Sequence, residues 1–471
     1  MPSPPSSIYA TLSSPLPSKP YILSITPSPT NPHLILRHPG PDLTLVDNQT
    51  LQPVERLTRG HQGNVTSVAV DEDAIWSSAK DGSIVRWDER SRRAGTIIRA
   101  AVRKPIPVTA LTVSARDHLI IGGTELVSAE SHIMYWDDRS PSQPIYLHSS
   151  THSDDITNLS ILPPTPSFQS SSSSNPLPQK LLLSSSTDGL IALSDLKESD
   201  EDEAVICTEN WNQSIADSNW YLHKGKMKFW ARSDMDGIAT WELGMGGDGG
   251  DELELQTHLE YPSSSFKFKS FKPPKQGPTI TQTASEEMES KVQLKSDYLI
   301  DVLPSLGVGK NGGAITAVGT NEGDIILQHH TTSTSYSPSA YLLSGPSTTR
   351  GHKDVVRAMY HDLSNEALYT GSEDGVISGW SLASMPDKLV VGDDELDISG
   401  DEDQDMDDDE DEDEESEIET EESDRSDDSM GLDDGEEEGP RYGPILGAGA
   451  GADKGKDKRK EKRKGNRFGP Y

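Results

Sequence analysis

The sequence predicts an all-β protein built from repeated units of short strands, and two observations support this fold class. First, the segment around His61 returns near the end of the sequence around His352, and a degraded copy surrounds His152. Second, apolar and polar residues alternate within each copy, and Asp-Gly separates the later runs. Alternation with period two indicates half-buried strands, and Asp-Gly indicates a tight hairpin turn. Repeated short strands with regular turns are typical of the blades of a β-propeller.

Seven units of this kind follow one another along the chain. The second and seventh carry the pattern most fully, and the other five carry parts of it. We therefore expect a seven-bladed propeller, with six or eight blades as the alternatives if the faint first or sixth unit is misread. In chain order the units span residues 21–50, 59–89, 108–139, 150–196, 218–244, 298–330 and 350–382.

The N-terminal segment, residues 1–20, is expected to close the ring. If each unit supplies three inner strands of one blade and the outer strand of its neighbour, the seventh blade lacks an outer strand. Residues 6–13 are well placed to supply it, and such closure removes the exposed sheet edges that invite aggregation. The propeller is predicted over residues 21–386, with polar insertions at 163–180 and 244–291.

Charge separates the C-terminal part of the sequence from the rest. Thirty acidic residues against two basic ones give residues 387–438 a net charge of −28, and ten basic residues against three acidic ones give 439–471 a net charge of +7. The first 386 residues carry −15 of the total of −36. Because such segments cannot bury apolar area, we expect a disordered acidic tail followed by a disordered basic tail.

The single cysteine and the N-terminal sequence predict an intracellular, soluble protein. Cys207 has no partner for an intramolecular disulfide, which fits a reducing compartment. The N-terminus lacks the apolar core and positive flank of a signal peptide. No stretch of the sequence approaches the roughly 18 apolar residues that are needed to span a bilayer.

The repeats resemble those of the WD40 β-propeller superfamily over residues 21–382. The resemblance implies a structural hydrogen-bond tetrad within a blade, in which a turn Asp accepts from a His, the His reaches a strand hydroxyl, and the hydroxyl reaches a Trp indole. The fourth unit has Ser194 in place of the Trp, so its tetrad is incomplete. The implied members are His61, Ser77, Asp81 and Trp87 in the second unit, His352, Thr370, Asp374 and Trp380 in the seventh, and His152, Ser184 and Asp188 in the fourth.

The same residue types would also suit a hydrolase, with Ser77, His61 and Asp81 as a catalytic triad. A triad occurs once in an enzyme, whereas this set recurs with its blade. A buried His that is paired with an Asp stabilises the fold and need not be reactive. We therefore expect that the protein is not an enzyme.

No sequence motif predicts a metal or a cofactor. Gly244, Gly246 and Gly249 have the spacing of a dinucleotide fingerprint, but no helical pattern follows them. His329 and His330 have no Cys or third His at ligand spacing nearby. We expect neither a bound metal nor a cofactor.

Function is expected to lie on the surface of the ring. In WD40 domains the residues just before the turn Asp, and those that enter the first strand of each blade, surround the top face. The resemblance therefore implies partner-binding residues at these positions. They are Asn64, Lys80, Asp154, Asp155, Thr187, Lys353 and Glu373.

Within the superfamily, the sequence is most similar to the WD repeat-containing protein 89 family, which implies a non-enzymatic propeller. The acidic and then Lys-rich tail is instead similar to the WD repeat-containing protein 55 family, which implies a role in ribosome assembly. The segments that carry the first resemblance are His132–Arg139, Thr151–Thr157, Ser185–Leu196 and Asp354–Gly375, together with their order.

From these features we expect a non-catalytic scaffold that mediates protein–protein interactions in a nuclear complex, as a monomer within it. The acidic tail would engage basic partners such as histones or ribosomal proteins. Nucleic acid is expected only at the basic C-terminus, and no membrane contact is expected. The alternatives are a nucleolar ribosome-assembly factor and a substrate receptor for a cullin-type ubiquitin ligase, which Arg90 and Arg139 after Trp-Asp suggest. The cytoplasm is the alternative location.

Overall fold

The described residues form six four-stranded sheets and one five-stranded sheet, which are the seven blades, and a separate two-stranded sheet. The prediction of an all-β, seven-bladed propeller is therefore confirmed. The two predicted tails and the centre of the predicted insertion at 163–180 lie outside the described residues. The structure is a computed structural model that describes residues 6–72, 74–163, 180–245, 253–262, 270–271, 294–308, 313–332, 335–344 and 350–383.

In the first six blades, four strands run from inner to outer in chain order, because consecutive strands are connected one after another. Gly82, Gly189 and Gly375 occupy the predicted Asp-Gly turns with φ of 75°, 88° and 71°, a conformation that glycine adopts without strain. Two N-terminal strands and the first three blades comprise β1 (Ser6–Tyr9), β2 (Leu12–Pro15), β3 (Ser24–Pro27), β4 (His33–Arg37), β5 (Leu43–Asp47), β6 (Pro53–Leu57), β7 (Val65–Asp71), β8 (Ala74–Ala79), β9 (Ser83–Asp88), β10 (Arg93–Arg99), β11 (Val108–Ser114), β12 (Leu119–Thr124), β13 (Ile133–Asp137) and β14 (Tyr146–His148).

The fourth and fifth blades contain the one helix of the described residues, a single turn that the sequence did not predict. Asp200 caps this turn by accepting from the Asp202 N–H. The elements of these blades are β15 (Ile156–Ile161), β16 (Leu181–Ser186), β17 (Leu190–Asp195), α1 (Glu201–Ala204), β18 (Val205–Asn210), β19 (Ile215–His223), β20 (Lys226–Ser233), β21 (Ile238–Met245) and β22 (Leu253–Tyr261).

The predicted insertion at 244–291 is wrong in its first part. β22 pairs with β21 as the outer strand of the fifth blade, and its Leu253, Leu255 and Tyr261 side chains are buried. Their burial holds this polar-looking segment in the sheet. A separate two-stranded sheet follows before the sixth blade. The remaining strands are β23 (Ser270–Phe271), β24 (Leu294–Lys295), β25 (Tyr298–Val308), β26 (Ala314–Gly319), β27 (Ile325–Thr332), β28 (Ser335–Leu343), β29 (Val356–Asp362), β30 (Ala367–Ser372) and β31 (Val376–Ser381).

The N-terminal segment joins two blades rather than one. β2 pairs antiparallel with β31 and supplies the outer strand of the seventh blade. β1 pairs in parallel with β28 as the fifth strand of the sixth blade. The predicted outer strand at 6–13 is therefore wrong in its bounds. The reason is burial, because Ile8 and Ala10 fill the core between the sixth and seventh blades before the chain crosses to β31.

The hydrophobic core is divided into seven clusters, and each cluster lies between two neighbouring blades. Both faces of a sheet are therefore covered, which explains why every residue of β8, β16 and β26 is buried. These strands combine apolar and small residues rather than alternating apolar with exposed polar ones. The interior of each blade is thus closed to solvent, and accessible side chains lie on the turns, the outer strands and the innermost strands.

Candidate functional site

We call the end of the ring that carries the turns between second and third strands the top face. In the second blade, this end contains a hydrogen-bond relay that starts at Trp87. The indole Nε1–H donates to the Ser77 hydroxyl at 2.7 Å, and Ser77 Oγ lies 2.6 Å from His61 Nε2. The other ring nitrogen, Nδ1, lies 2.5 Å from the hydroxyl of Ser83. The Ser83 hydroxyl in turn donates to the Asp81 carboxylate.

The direction of this relay fixes the tautomer of His61. The Ser83 hydroxyl proton points to the Asp81 carboxylate, so Ser83 accepts from the imidazole and Nδ1 carries the proton. Nε2 then accepts the proton of Ser77, whose oxygen is free to accept from Trp87. The predicted direct bond between His61 and Asp81 is wrong, because their closest atoms are 4.0 Å apart and Ser83 bridges them.

The seventh blade repeats the relay without a bridging hydroxyl. Trp380 Nε1–H donates to Thr370 Oγ1 at 2.8 Å, and Thr370 Oγ1 lies 2.6 Å from His352 Nε2. His352 Nδ1 faces the Asp374 carboxylate directly at 3.7 Å. The structure thus brings together all four residues that the sequence pattern grouped in this blade.

The fourth blade holds three of the predicted members. His152 Nε2 lies 2.8 Å from Ser184 Oγ, and His152 Nδ1 lies 3.4 Å from the Asp188 carboxylate. Ser194 stands at the position of the missing Trp and is buried, and its hydroxyl has no hydrogen-bond partner among the described residues. The relay therefore ends at Ser184 in this blade.

Burial sets the ionisation of the second-blade relay. Desolvation lowers the pKa of His61 to about 4, and the attraction of Asp81 offsets this only in part. Burial alone would raise the pKa of Asp81, but hydrogen bonds from the Ser83 side chain and from the Gln62 and Ser83 N–H groups lower it to about 2. At neutral pH the relay therefore joins a neutral imidazole to a carboxylate. Burial would raise the pKa values of Asp188 and Asp374, but both are lowered, because the nearby His152 and His352 act together with two backbone N–H groups that donate to each carboxylate.

This geometry does not suit acyl-transfer catalysis. The His61 and His352 side chains have no exposed surface, and the hydroxyls of Ser77 and Thr370 are buried beneath them. A nucleophile must reach its substrate, and here the hydroxyl already accepts from a Trp indole on its own sheet. The arrangement ties the top-face loops to the second and third strands of a blade.

Four of the seven predicted partner-binding residues are engaged within the propeller. Lys80 Nζ lies 3.0 Å from Glu125 Oε1 of the next blade, and Glu373 accepts from Arg357 at 2.6 Å. The Asp155 carboxylate accepts from the Leu126 N–H at 2.7 Å, and its carbonyl accepts from the Thr187 N–H at 3.0 Å. These residues fix the positions of the top-face loops.

The other three predicted residues present their side chains to solvent. The Asn64 and Lys353 side chains are exposed and make no hydrogen bond or ion pair with any described residue. Asp154 is half-buried and accepts only from the N–H of the following residue. Asn64, Asp154 and Lys353 are therefore the members of the predicted set that a partner could contact without breaking an existing bond.

The sequence analysis missed an apolar component of the top face. Met235, in the turn between β20 and β21, is 71% exposed, and Leu126 and Val127 after β12 are each 39% exposed. Met235 immediately precedes the turn residues Asp236-Gly237, the same position as Lys80 in the second blade. The rule that selected Lys80 would have found Met235 if it had been applied to the fifth unit.

The described residues show no other chemistry at this face. Within the described ranges, no three His, Cys, Asp or Glu side chains converge to hold a metal ion. No described helix has the length and apolar character needed to cross a membrane.

Comparison with known proteins agrees with this architecture. The model of the family "WD domain, G-beta repeat" matches residues 52–88 and 343–381. An uncharacterized WD repeat-containing protein of Schizosaccharomyces pombe is 21% identical over 343 residues, which are 71% of this chain and 88% of that protein. Another, of Saccharomyces cerevisiae, is 26% identical over 185 residues, 39% of this chain and 41% of that protein. The crystal structure of the Cps50 (Swd1) β-propeller domain of Myceliophteria thermophila is similar to this chain with a TM-score of 0.50 and 13% sequence identity. The match covers 79% of this chain and 98% of that one. At this identity the similarity concerns the fold alone.

Proposed function

We propose that this chain, a seven-bladed propeller of the WD40-repeat superfamily, is a non-catalytic scaffold for protein–protein interactions in a nuclear complex. WD40 propellers generally bind protein partners. One observation carries the proposal for the top face. The histidines that resemble catalytic residues are buried and bonded, whereas Asn64, Met235 and Lys353 beside the same turns are exposed. The top face is thus a rigid surface whose available groups are suited to contact rather than to reaction.

The partner contact at the top face can be tested without changing the net charge. In the variant Asp154→Lys/Lys353→Glu, two available side chains exchange their charges. The control Lys224→Glu/Glu366→Lys makes the same exchange at exposed residues in turns between first and second strands, at the opposite end of the blades. Affinity purification of the full chain should lose partners with the first variant and retain them with the control. Identical partner profiles for the two variants would contradict the top-face proposal.

The acidic tail, residues 387–438, is proposed to engage basic partners such as histones or ribosomal proteins. Its net charge of −28 supports long-range attraction to positively charged surfaces, and salt would weaken that attraction. The basic segment 439–471 is proposed as the nuclear-import signal and as the one region suited to nucleic acid. Deletion of residues 387–471 should remove basic partners, change localisation and abolish the salt sensitivity of binding. If all three stay as in the full chain, the tail has no such role.

Two more specific functions remain as alternatives. A ribosome-assembly factor in the nucleolus, as in the WD repeat-containing protein 55 family, predicts pre-rRNA processing defects on depletion. A substrate receptor of a cullin-type ligase predicts co-purification of adaptor subunits that depends on Arg90 or Arg139. The Arg139 guanidinium is bonded to its own Asp137, with Nε 2.9 Å from Oδ1, whereas Arg90 makes no such contact. The contacts therefore favour Arg90 as the residue to test first. The similarity to the WD repeat-containing protein 89 family stays a prediction.

A further inference from the structure

A cavity of about 800 Å³ opens between the first and second blades. Its walls include Leu45 and Val54 of the first blade and Arg86, Arg90 and Thr96 of the second. The cavity shares Trp87 with the second-blade relay, but Arg86, Asp88 and Arg90 of its lining lie at the end of β9 away from the Asp81 turn, so it opens away from the top face. Its volume falls within the usual range of ligand sites, about 300–1,000 Å³.

The acidic residues that line the cavity are already occupied by hydrogen bonds. Glu89 accepts from the hydroxyls of Ser28 and Thr30 at 2.7 and 3.0 Å, and its other oxygen lies 2.9 Å from His33 Nδ1. Asp88 accepts two backbone N–H groups of its own turn, at 3.0 and 3.1 Å. These carboxylates hold the cavity walls together and have little capacity left to attract a cation.

Arg90 is the arginine of the cavity whose guanidinium is available to a partner. Arg92 pairs with Glu55 at 2.7 Å at the exposed rim. The Arg90 guanidinium is exposed and makes no side-chain hydrogen bond or close ion pair with any described residue. The sequence over 86–93 holds four arginines against two acids, in a chain whose net charge is −36. The cavity therefore offers unpaired positive charge beside an apolar wall.

We propose that this cavity binds an acidic segment of a partner protein. A carboxylate of the partner meets the Arg90 guanidinium, whose planar fork matches a carboxylate, and an apolar side chain packs against Val54, which is 39% exposed. This is a second interaction surface, independent of the top face. It is suited to an acidic partner, whereas the acidic tail is proposed to bind basic ones.

The lining of the cavity favours a peptide over a nucleic-acid backbone. Nucleic-acid sites without sequence preference combine a basic groove with exposed aromatic rings for base stacking. Trp87, which lines the cavity, is 2% exposed and so presents no ring surface to a base.

The test measures fluorescence anisotropy of a short labelled peptide rich in Glu, with two Leu residues, titrated with the full chain at physiological salt. Arg90→Glu should weaken binding about tenfold, as expected for the loss and reversal of a close charge pair. Arg103→Glu is the matched control, since Arg103 is also exposed, makes no ion pair with a described residue and lies outside the cavity. Both variants change the net charge of the chain equally, so any general electrostatic effect on peptide affinity is the same in both.

A second variant fills the cavity without changing charge. A Cβ on Gly95, which lines the cavity, would meet only the Arg86 carbonyl, at 3.5 Å, so Gly95→Leu fits the backbone and should weaken peptide binding as Arg90→Glu does. Asp154→Lys/Lys353→Glu should leave this binding unchanged even if the top-face proposal fails. Equal weakening by Arg90→Glu and Arg103→Glu, or no peptide binding by the wild type, would overturn the proposal. So would tighter, Arg90-dependent binding of an oligothymidylate of equal charge.

Discussion

The hydroxyl of Ser83 determines how the second blade holds its histidine. In the fourth and seventh blades the residue two positions after the turn Asp is Leu190 or Val376, and the imidazole faces the carboxylate at 3.4 or 3.7 Å. With Ser at that position, the carboxylate lies 4.0 Å away and the hydroxyl completes the relay. Ser83 was missed because the sequence pattern defines the tetrad by Asp, His, hydroxyl and Trp. The sequence does contain a signal for it, because Ser83 carries a hydroxyl at the position where the other two blades have the apolar Leu190 and Val376.

His61 should make folding sensitive to acid. Its pKa is about 4 in the folded chain against an ordinary value of 6.5, so the unfolded chain binds the proton more tightly. This contribution is fully present above pH 6.5 and is lost as pH falls towards 4. Between about pH 7.5 and about pH 5 the wild type should lose about 2 kcal/mol of unfolding free energy from this group. Urea denaturation at both pH values should show a smaller loss for His61→Gln, and equal losses would rule out this assignment.

The same substitution should have opposite effects at two buried serines. Ser194→Ala removes a hydroxyl that has no partner among the described residues, so it should raise the unfolding free energy by about 0.5–1 kcal/mol. Ser77→Ala leaves both the Trp87 indole N–H and His61 Nε2 without their hydrogen-bond partner. It should therefore lower the unfolding free energy by about 2–3 kcal/mol. Urea denaturation of both variants at neutral pH provides the comparison. Destabilisation by Ser194→Ala would show that its hydroxyl is bonded in solution.

At the scale of elements, the N-terminal strands should contribute unequally to the ring. Removal of residues 1–10 deletes β1 and the buried Ile8, but it leaves four strands in every blade, so the cost should be about 2–3 kcal/mol. Removal of residues 1–15 also deletes β2 and exposes the edge of β31, so the chain should aggregate or fail to fold. Size-exclusion chromatography and urea midpoints distinguish the two truncations. Similar behaviour of both would contradict the assignment of β2 as the closing strand.

Two elements show how far sequence patterns reach. Seven units with their turns were predictable because Asp-Gly and period-two alternation are local signals. β22 was missed although Leu253, Leu255, Leu259 and Tyr261 alternate with polar residues, because glycine-rich sequence precedes it and polar sequence follows it. The bounds of the closing strand were not predictable, since they depend on pairing with β31, far along the chain.

For the candidate site, the sequence predicted where the residues lie but not which side chains are free to bind a partner. Sequence patterns located the turns, so Asn64, Lys80 and Glu373 were correctly expected near exposed loops. Whether a side chain is free to contact a partner depends on the residue that faces it from the next blade. Lys80 is paired with Glu125 of the third blade, whereas no described residue engages the Asn64 side chain. Contacts between blades are not encoded in the spacing within one repeat.

At the scale of the whole propeller, the inner strands gather charges from different blades. Asp217 on β19 lies 3.6 Å from Arg232 on β20, and Asp301 stands on β25 of the next blade. Burial raises the pKa of Asp301 to about 7, with Arg232 opposing and Asp217 reinforcing the shift. Burial also raises the pKa of Asp217, against the attraction of Arg232. Arg37 on β4 also attracts Asp217, so the inner strands bring two carboxylates near two guanidiniums from different blades.

Replacing these two carboxylates should have unequal consequences. Asp301 contributes stability below pH 4 that is lost as pH rises through about 7, because the folded chain holds its proton more tightly. Asp301→Asn should therefore raise the unfolding free energy at about pH 8, by something on the order of 2 kcal/mol, and flatten its pH dependence. Asp217→Asn relieves the burial that raises the pKa of Asp217 but also removes the contact with Arg232 at 3.6 Å, so its gain in unfolding free energy should be smaller. Chemical denaturation between about pH 5 and 8 gives both results, and destabilisation by Asp301→Asn would contradict this account.

Closure of the ring by its first strands also orders events during synthesis. Ser13 bonds to Ser378, which follows it by 365 residues. At roughly 5–20 residues per second, about 20–70 s pass on the ribosome between the emergence of the two strands. β1 gains its sheet edge when β28 emerges, but β2 has none until β31 emerges, and the growing propeller keeps an open side until then. A nascent chain that stops before β31 therefore lacks the strand that β2 needs to close the ring.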